Sequence, residues 1–335
     1  MRPMISCIIP CKNESIELLT LVITNLTEGI SPDDLELVVV NDGSEYPDGT
    51  FQSLAKDLSS LKEGRNIKFL DRKEQYGVGY SFDRGVEIAS GDTIVLMGGD
   101  VFPEKVKWFY DVLHACRDKE IGCCTSVGLQ PNQYDIDKEG MVSRYGARLL
   151  WTLLEKDLAK SSPLKGNKDY REVIGAMWAG KKSDEPYEID CLMGAYYWCN
   201  KSFYNEIHGF DTKEGSHFHG AAYWGHLESH LSLKARVYGG KCVVYPNIRV
   251  GHVFQRVDDE NIYEHRAIRE DFHYWNRLWI IYTLLDDDLR NKCLAHLDEE
   301  PCLNLSQASV YIRHHWNDVK NTRKRNQREG KLISE

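Results

Sequence analysis

What this 335-residue chain lacks narrows its nature before any motif is read. No run of about 18 consecutive apolar residues occurs, so no membrane span is expected; the stretch Leu278–Leu285 is far too short. The opening MRPMISCIIP has no long apolar segment of the kind that directs secretion. It reads as a first strand, and a cytoplasmic chain is expected. No C-x-x-C pair occurs among the ten cysteines. Reduced, mostly buried thiols are therefore expected, with Cys7, Cys123 and Cys242 inside strands and the adjacent Cys123 and Cys124 serving packing. Positive charge is in deficit, 42 Lys and Arg against 51 Asp and Glu, a net charge of -9. That excludes a global pull toward DNA or an anionic membrane and leaves only local patches to act. No G-x-G-x-x-G follows the first strand, where the turn reads PCKNES, which argues against a dinucleotide-dependent dehydrogenase. His226 and His230 in HLESH lack the glutamate placement of a zinc helix. No internal repeat is found.

What is present is an alternation. Ile5–Ile9 is an apolar run ended by Pro10; Ile16, Leu19, Val22, Ile23 and Leu26 then recur at helical spacing. The valine-rich run Leu35–Val40 suits a strand buried on both faces. Thr50–Leu61 reads as helix, Ile67–Leu70 as strand, Val78–Ala89 as helix and Thr93–Met97 as strand. This order predicts an α/β fold with a mostly parallel central sheet, helices on both faces, and ligands outside the carboxyl ends of the strands. Pro103–Cys116 reads as a helix with Val106, Phe109, Leu113 and Cys116 on one face. From Gln130 to Glu188 the pattern loosens into a polar insertion. Regularity returns at Cys191–Trp198 and Glu228–Val237, followed by an aromatic helix over Asp271–Leu285. The tail Lys320–Lys331 is strongly basic, with Lys320, Arg323, Lys324, Arg325, Arg328 and Lys331; a solvated, partly disordered end is expected, and contact with an anionic lipid or nucleic acid is the alternative.

Four stretches carry candidate chemistry. In VVVNDGS (Val38–Ser44) an acid stands at a strand end, where it can accept a hydrogen bond from a base or ribose, although Asn-Asp-Gly-Ser are also ordinary turn residues. In GDTIVLMGGDVFP, Gly98 and Gly99 leave open space beside Asp100; the plain alternative is that Asp100 caps the helix expected near Pro103. In YWGHLESHLSLK, Glu228 is a candidate general base, or simply an acid favoured by the helix dipole. In VGHVF, His252 is either a core histidine or, with a carboxylate, half of a divalent-metal site.

Taken in order, these segments resemble the glycosyltransferases of family 2 and the polypeptide N-acetylgalactosaminyltransferases, which share the GT-A fold. ISCIIPCKNES looks like their opening strand and loop, VVVNDGS like V-V-D-D-G-S, and ASGDTIVLMGGDVFP like a strand ending in D-x-D. CLMGAYYWCNKSFYNEIHGFD, YWGHLESHLSLK and VGHVF resemble the acceptor-side, catalytic-helix and metal-histidine segments. The likeness spans about residues 4 to 256. It implies a Rossmann-like GT-A domain over 1–256, with a nucleotide-binding half at 1–120, a variable insertion at 130–188 and an acceptor and catalytic half at 189–256. A helical extension with a basic tail follows at 257–335.

Carried over, the resemblance implies donor contacts from Pro10, Lys12, Glu14, Asp42, Asp83, Arg84, Gly98, Gly99 and Asp100. It implies a sugar and acceptor pocket at Gly194, Trp224 and Gly225, and Glu228 as catalytic base. Mn2+ or Mg2+ would be held by Asp100 and His252, with diphosphate oxygens and waters completing an octahedron. The expected activity is transfer of a sugar, from a UDP-sugar first, to an acceptor hydroxyl with inversion. The acceptor class is left open among glycans, lipid-linked glycans, proteins and hydroxylated nucleic-acid bases. Two departures favour the alternative of a non-catalytic sugar-nucleotide or glycan-binding protein: Gly98 replaces the first D-x-D acid, and Phe82-Asp83 replaces the usual Arg-Asn.

Overall fold

Strand residues of alternating parity feed two separate apolar clusters, and this organises the molecule. The structure is a computed structural model that describes residues 4–44, 66–129, 143–153, 172–193, 195–222, 225–253, 261–298 and 303–334. Strands β1 (Ile5–Cys11) and β2 (Leu35–Asp42) are buried at every position. Ile8, Val38 and Val40 point into one cluster, while Cys7, Ile9, Leu37 and Val39 point into the other. Period-two alternation with both faces covered is what a valine-rich parallel strand needs. Among their polar residues, Glu36 is 1% exposed; it accepts from Ser6 Oγ at 2.6 Å and Ser90 N–H at 2.7 Å and pairs with Lys68.

Helix α1 (Ile16–Thr27) starts where the Ser15 side chain accepts from Leu18 N–H and buries Leu19, Val22, Ile23 and Leu26. Strand β3 (Asn66–Arg72), helix α2 (Val78–Ile88), strand β4 (Thr93–Met97) and strand β5 (Val101–Pro103) follow. Next come helix α3 (Lys107–Ala115) and strands β6 (Glu120–Leu129), β7 (Ser143–Arg144), β8 (Ala147–Leu153), β9 (Glu172–Trp178), β10 (Tyr187–Ile189) and β11 (Tyr196–Asn200). Helices α4 (Lys201–Glu206) and α5 (Leu227–Val237) precede strand β12 (Lys241–Val253). The chain then continues in helices α6 (Asn261–Leu284), α7 (Asp287–Asp298), α8 (Leu303–His314) and α9 (Trp316–Glu329).

The main sheet has ten strands, ordered β10-β12-β6-β11-β4-β1-β2-β3, with β5 added on β12 and β7 on β6. β1, β2, β3, β4, β6 and β12 run one way; β11 runs against β4 and β6, and β10 against β12. The carboxyl ends of β1, β2, β4 and β12 therefore open on one side. β4 pairs with β1 only along Ile5–Ile8, so Pro10 sits where that edge of the ladder has ended and its missing N–H forfeits no bond.

Three expectations change. The helix expected from Pro103 starts at Lys107, because Val101–Pro103 pair as a strand with Val250–His252. Its buried face is Trp108, Phe109, Val112 and Ala115, while Val106 is 37% exposed. The loose insertion contains an antiparallel hairpin of β8 and β9. The basic tail is helical and docked: Arg325 pairs with Asp211, which also binds Lys234 Nζ at 2.7 Å, and Asn326 is fully buried. Across the expected boundary at 256, Trp275, Trp279, Ile281 and Val319 share a cluster with Ile8, Val40 and Phe82. The helix expected at Thr50–Leu61 lies outside the described residues. The nine described cysteines are free thiols, eight of them buried.

Candidate active site

Asp100 and His252 lie 152 residues apart and meet because β5 and β12 pair antiparallel, with Val101 opposite His252. Val253 N–H donates to the Asp100 carbonyl at 3.0 Å. Across this register His252 Nε2 lies 3.2 Å from Asp100 Oδ2, both side chains partly exposed. Asp100 therefore pairs with His252, where the sequence had also allowed a capping role. Adjacent ligand atoms on an octahedron with bonds of about 2.1 Å stand about 3 Å apart, so this pair fits two neighbouring positions around Mg2+ or Mn2+. Among the described residues no group of three or more His, Cys, Asp or Glu is arranged for a metal, so phosphate oxygens and water would fill the remaining places. A Cβ on Gly98 would stand 2.7 Å from Asp100 Oδ1; the Asp100 carboxylate occupies the space beside the glycine.

Gly99 abuts the Pro10 carbonyl and the Glu14 side chain, at 3.5 Å from where its Cβ would be. This contact brings the β1 exit against the β4 exit. Burial pushes the Glu14 carboxyl up to about 8, and the charges of Asp100 and Asp42 add to the shift. Glu14 also accepts from Lys12 N–H, and Lys12 Nζ reaches the Gln75 side chain. Asp42 is 3% exposed. Its Oδ1 accepts from Tyr76 N–H at 2.9 Å and its Oδ2 from Gly77 N–H at 2.8 Å. Gly77, at φ 98°, caps α2 without a side chain; the Ala222 carbonyl accepts from the first-turn amides of Gly79 and Tyr80, while Asp42 holds the two amides that lead into the helix. Burial raises the Asp42 carboxyl, with these amides and Lys12 opposing.

Glu228 stands in the first turn of α5 and takes a 3.0 Å hydrogen bond on Oε1 from the Tyr197 hydroxyl. Burial raises its pKa, while its own amide, Tyr197 and the nearby His252 charge pull the other way. The Tyr197 hydroxyl accepts from Ala195 N–H at 3.0 Å, and the Ala195 carbonyl accepts from Gly98 N–H at 3.1 Å. Before α5, Gly225 sits at φ 99°, and a Cβ there would come within 2.5 Å of the His273 ring. Its carbonyl accepts from Asn276 Nδ2 at 2.7 Å. His226 holds a left-handed φ of 56°, and its Nε2 accepts from Arg277 Nε at 2.7 Å. Burial and the Arg277 charge keep His226 well below the ordinary imidazole value, hence neutral.

Asp100 and His252 thus meet, with Glu14, Gly98 and Gly99 beside Asp100 and Asp42 and Lys12 on the β2 flank, and Glu228 is tied to this turn through Tyr197, Ala195 and Gly98. Asp83 and Arg84 are engaged elsewhere. Asp83, 8% exposed, accepts from Tyr204 Oη at 2.6 Å, from Phe210 N–H and Thr212 N–H at 3.0 Å each, and from Thr212 Oγ1 at 2.5 Å. Arg84 pairs with Glu87 and Glu214 and covers the Tyr80 ring. Both residues fasten the 204–214 segment to α2. Gly194 and Trp224 lie outside the described residues. Sequence reasoning passed over Tyr197, Ala195 and Arg277. The available signal was a tyrosine in a buried strand, whose hydroxyl must find a partner, and an arginine inside an aromatic helix.

Sheet order and site together define a GT-A-type α/β protein. Residues 6–180 match the family model for Glycosyl transferase family 2, more than half of the chain, and the chain belongs to that family. It is 23% identical over 325 residues to polypeptide N-acetylgalactosaminyltransferase 8 of Drosophila melanogaster, covering 91% of this chain and 48% of that one. The chain spans about half the length of the curated relatives it matches. Among solved structures it is similar to GalNAc-T7 with UDP, GalNAc and Mn2+ (TM-score 0.65, 17% identity, 94% of this chain and 55% of that one). It is also similar to the mannosyltransferase PcManGT of Pyrobaculum calidifontis in complex with GDP-Man and Mn2+ (TM-score 0.51, 15% identity, 95% and 76%). No described helix is long and apolar enough to cross a membrane.

Proposed function

We propose that the chain transfers a sugar from a nucleotide-sugar donor, a UDP-sugar first, to an acceptor hydroxyl. The observation that carries this is the meeting of Asp100 and His252 at 3.2 Å, with Glu228 joined to the Asp100 turn through Tyr197 and Ala195. In this reading the donor lies across the ends of β1, β2 and β4, with Pro10, Lys12 and Glu14 beside it, and residues 189–256 form the acceptor half. Asp100 and His252 hold Mn2+ or Mg2+, which when bound lends Lewis-acid charge to the leaving diphosphate. The acceptor oxygen attacks the anomeric carbon while the bond from that carbon to the diphosphate oxygen breaks. The acceptor proton passes to Glu228, and the bonding electron pair leaves with the diphosphate. A raised carboxyl pKa suits that task near neutral pH, and attack opposite the leaving group inverts the anomeric centre. The free thiols support work in a reducing, cytoplasmic compartment.

Thermal shift and UDP or GDP release with UDP-N-acetylgalactosamine, UDP-glucose and GDP-mannose, each with and without Mn2+, test the proposal. The expected outcome is Mn2+-dependent stabilisation by one donor, abolished by Asp100→Ala and His252→Ala. Glu228→Gln is expected to lower turnover roughly 10²- to 10⁴-fold with donor affinity unchanged; retention of most turnover removes Glu228 as the base. A second reading, a binding protein without turnover, is favoured by Gly98 in place of an acid. Tight Mn2+-dependent donor binding with no nucleotide release under any acceptor would establish it.

A further inference from the structure

We infer that Tyr197 is the positioning residue for Glu228, and that the backbone of Ala195 ties this pair to the Asp100 turn. The inference rests on the reading of Glu228 as proton acceptor. Glutamate has three side-chain torsions, and a carboxylate that must meet one proton gains from having an oxygen fixed. The Tyr197 ring is well placed to fix it. Tyr197 is 5% exposed and sits in β11 opposite Leu96 on one side and Cys123 on the other, so its ring is clamped from both neighbouring strands.

The direction of its hydrogen bond is also set. The hydroxyl oxygen accepts from Ala195 N–H at 3.0 Å, and its own proton goes to Glu228 Oε1, 3.0 Å away. That leaves Oε2 as the oxygen for the acceptor proton. Ala195 serves both sides of the site. Its φ of 57° is a conformation that costs a non-glycine residue energy and persists where the surrounding structure over-determines it. In that conformation its N–H faces the tyrosine, while its carbonyl accepts from Gly98 N–H at 3.1 Å, two residues before Asp100. The groups proposed for the leaving diphosphate and for the acceptor proton therefore share one residue's backbone as a common reference point.

The test is a double-mutant cycle on nucleotide release from the donor that binds in the presence of Mn2+, with donor affinity followed by calorimetry. Tyr197→Phe keeps the ring and removes the oxygen. It is expected to lower kcat roughly 10- to 100-fold while donor Kd changes less than about twofold. Glu228→Gln/Tyr197→Phe is expected to be no slower than Glu228→Gln alone, because a residue that acts through another adds nothing once that other is gone. Should Tyr197→Phe also lower the melting temperature, this non-additivity still separates positioning from general damage. Unchanged kcat in Tyr197→Phe beside an inactive Glu228→Gln overturns the inference and leaves the proposed function standing. So does a double variant that loses the two single factors multiplied. An active Glu228→Gln removes the base reading and this inference together.

Discussion

Asp42 commits both carboxylate oxygens to backbone amides, one on Tyr76 and one on Gly77. Its first effect is therefore on the fold, before any ligand arrives. Removing a charged acceptor from one buried donor and one partly buried donor leaves the buried Gly77 amide unsatisfied. Asp42→Ala is expected to lower unfolding free energy by about 2–4 kcal/mol in urea titrations without ligand, and Asp42→Asn by less. Equal stability of Asp42→Ala and the parent would show that the amides find other partners. Gly43 makes a similar demand: φ is 68°, and a Cβ would sit 2.6 Å from Gln75 N. Asp42 was visible in VVVNDGS as an acid at a strand end. What it binds was not, because the partner amides stand 34 and 35 residues further along, on a loop that only tertiary folding brings back. Asp100 and His252 were legible as a pair from resemblance, but the antiparallel register that joins them was hidden behind an expected helix at Pro103.

Among the elements, α9 shows how a basic segment can be misjudged from composition. KNTRKRNQREGK reads as a solvated end, yet its charges divide by face: Arg325 reaches Asp211 and Arg323 reaches Asp287 and two carbonyls of the α6 end. Lys320, Lys324 and Arg328 stay exposed. Periodicity alone could not separate the two sets, since a buried arginine looks like an exposed one until its acid partner is known. Asp211 and Lys234 are both 0% exposed in their side chains. Lys234→Met leaves Asp211 with fewer counter-charges and is expected to cost roughly 3–5 kcal/mol, read as a lower urea midpoint at constant slope. Burial alone would raise the Asp211 carboxyl, but Lys234, His230 and Arg325 hold it well below the carboxylate range. A depressed acid contributes stability above its unfolded value of about 3.9 and loses it as pH falls toward the folded value. Unfolding midpoints of the parent should therefore drop below about pH 4, and Asp211→Asn should flatten that limb. An identical acid limb in the variant would assign the loss to other carboxylates.

Across the whole molecule, the parallel strands β1 to β4 followed from sequence, because apolar runs alternating with helical spacing leave a local trace. The antiparallel β11 in mid-sheet did not, since strand direction is set by how the chain returns and not by any local residue pattern. Nor did the continuity of the core: Trp275, Trp279, Leu284 and Val319 pack with Ile8, Val40 and Val86 in one cluster. A fragment ending at residue 260 is accordingly expected to show no cooperative thermal transition and little near-ultraviolet circular dichroism, where the full chain shows both. A sharp transition in the fragment would mean that the first 256 residues close on their own.

The same shared cluster has a bearing on how the protein is made. As the nascent polypeptide leaves the ribosome, Ile8, Val40 and Val86 emerge well before the helices carrying Trp275 and Val319 that complete their cluster. At translation rates of about 5–20 residues per second, that cluster waits many seconds for completion, an interval in which chaperone capture is the safeguard against sticking to a neighbour.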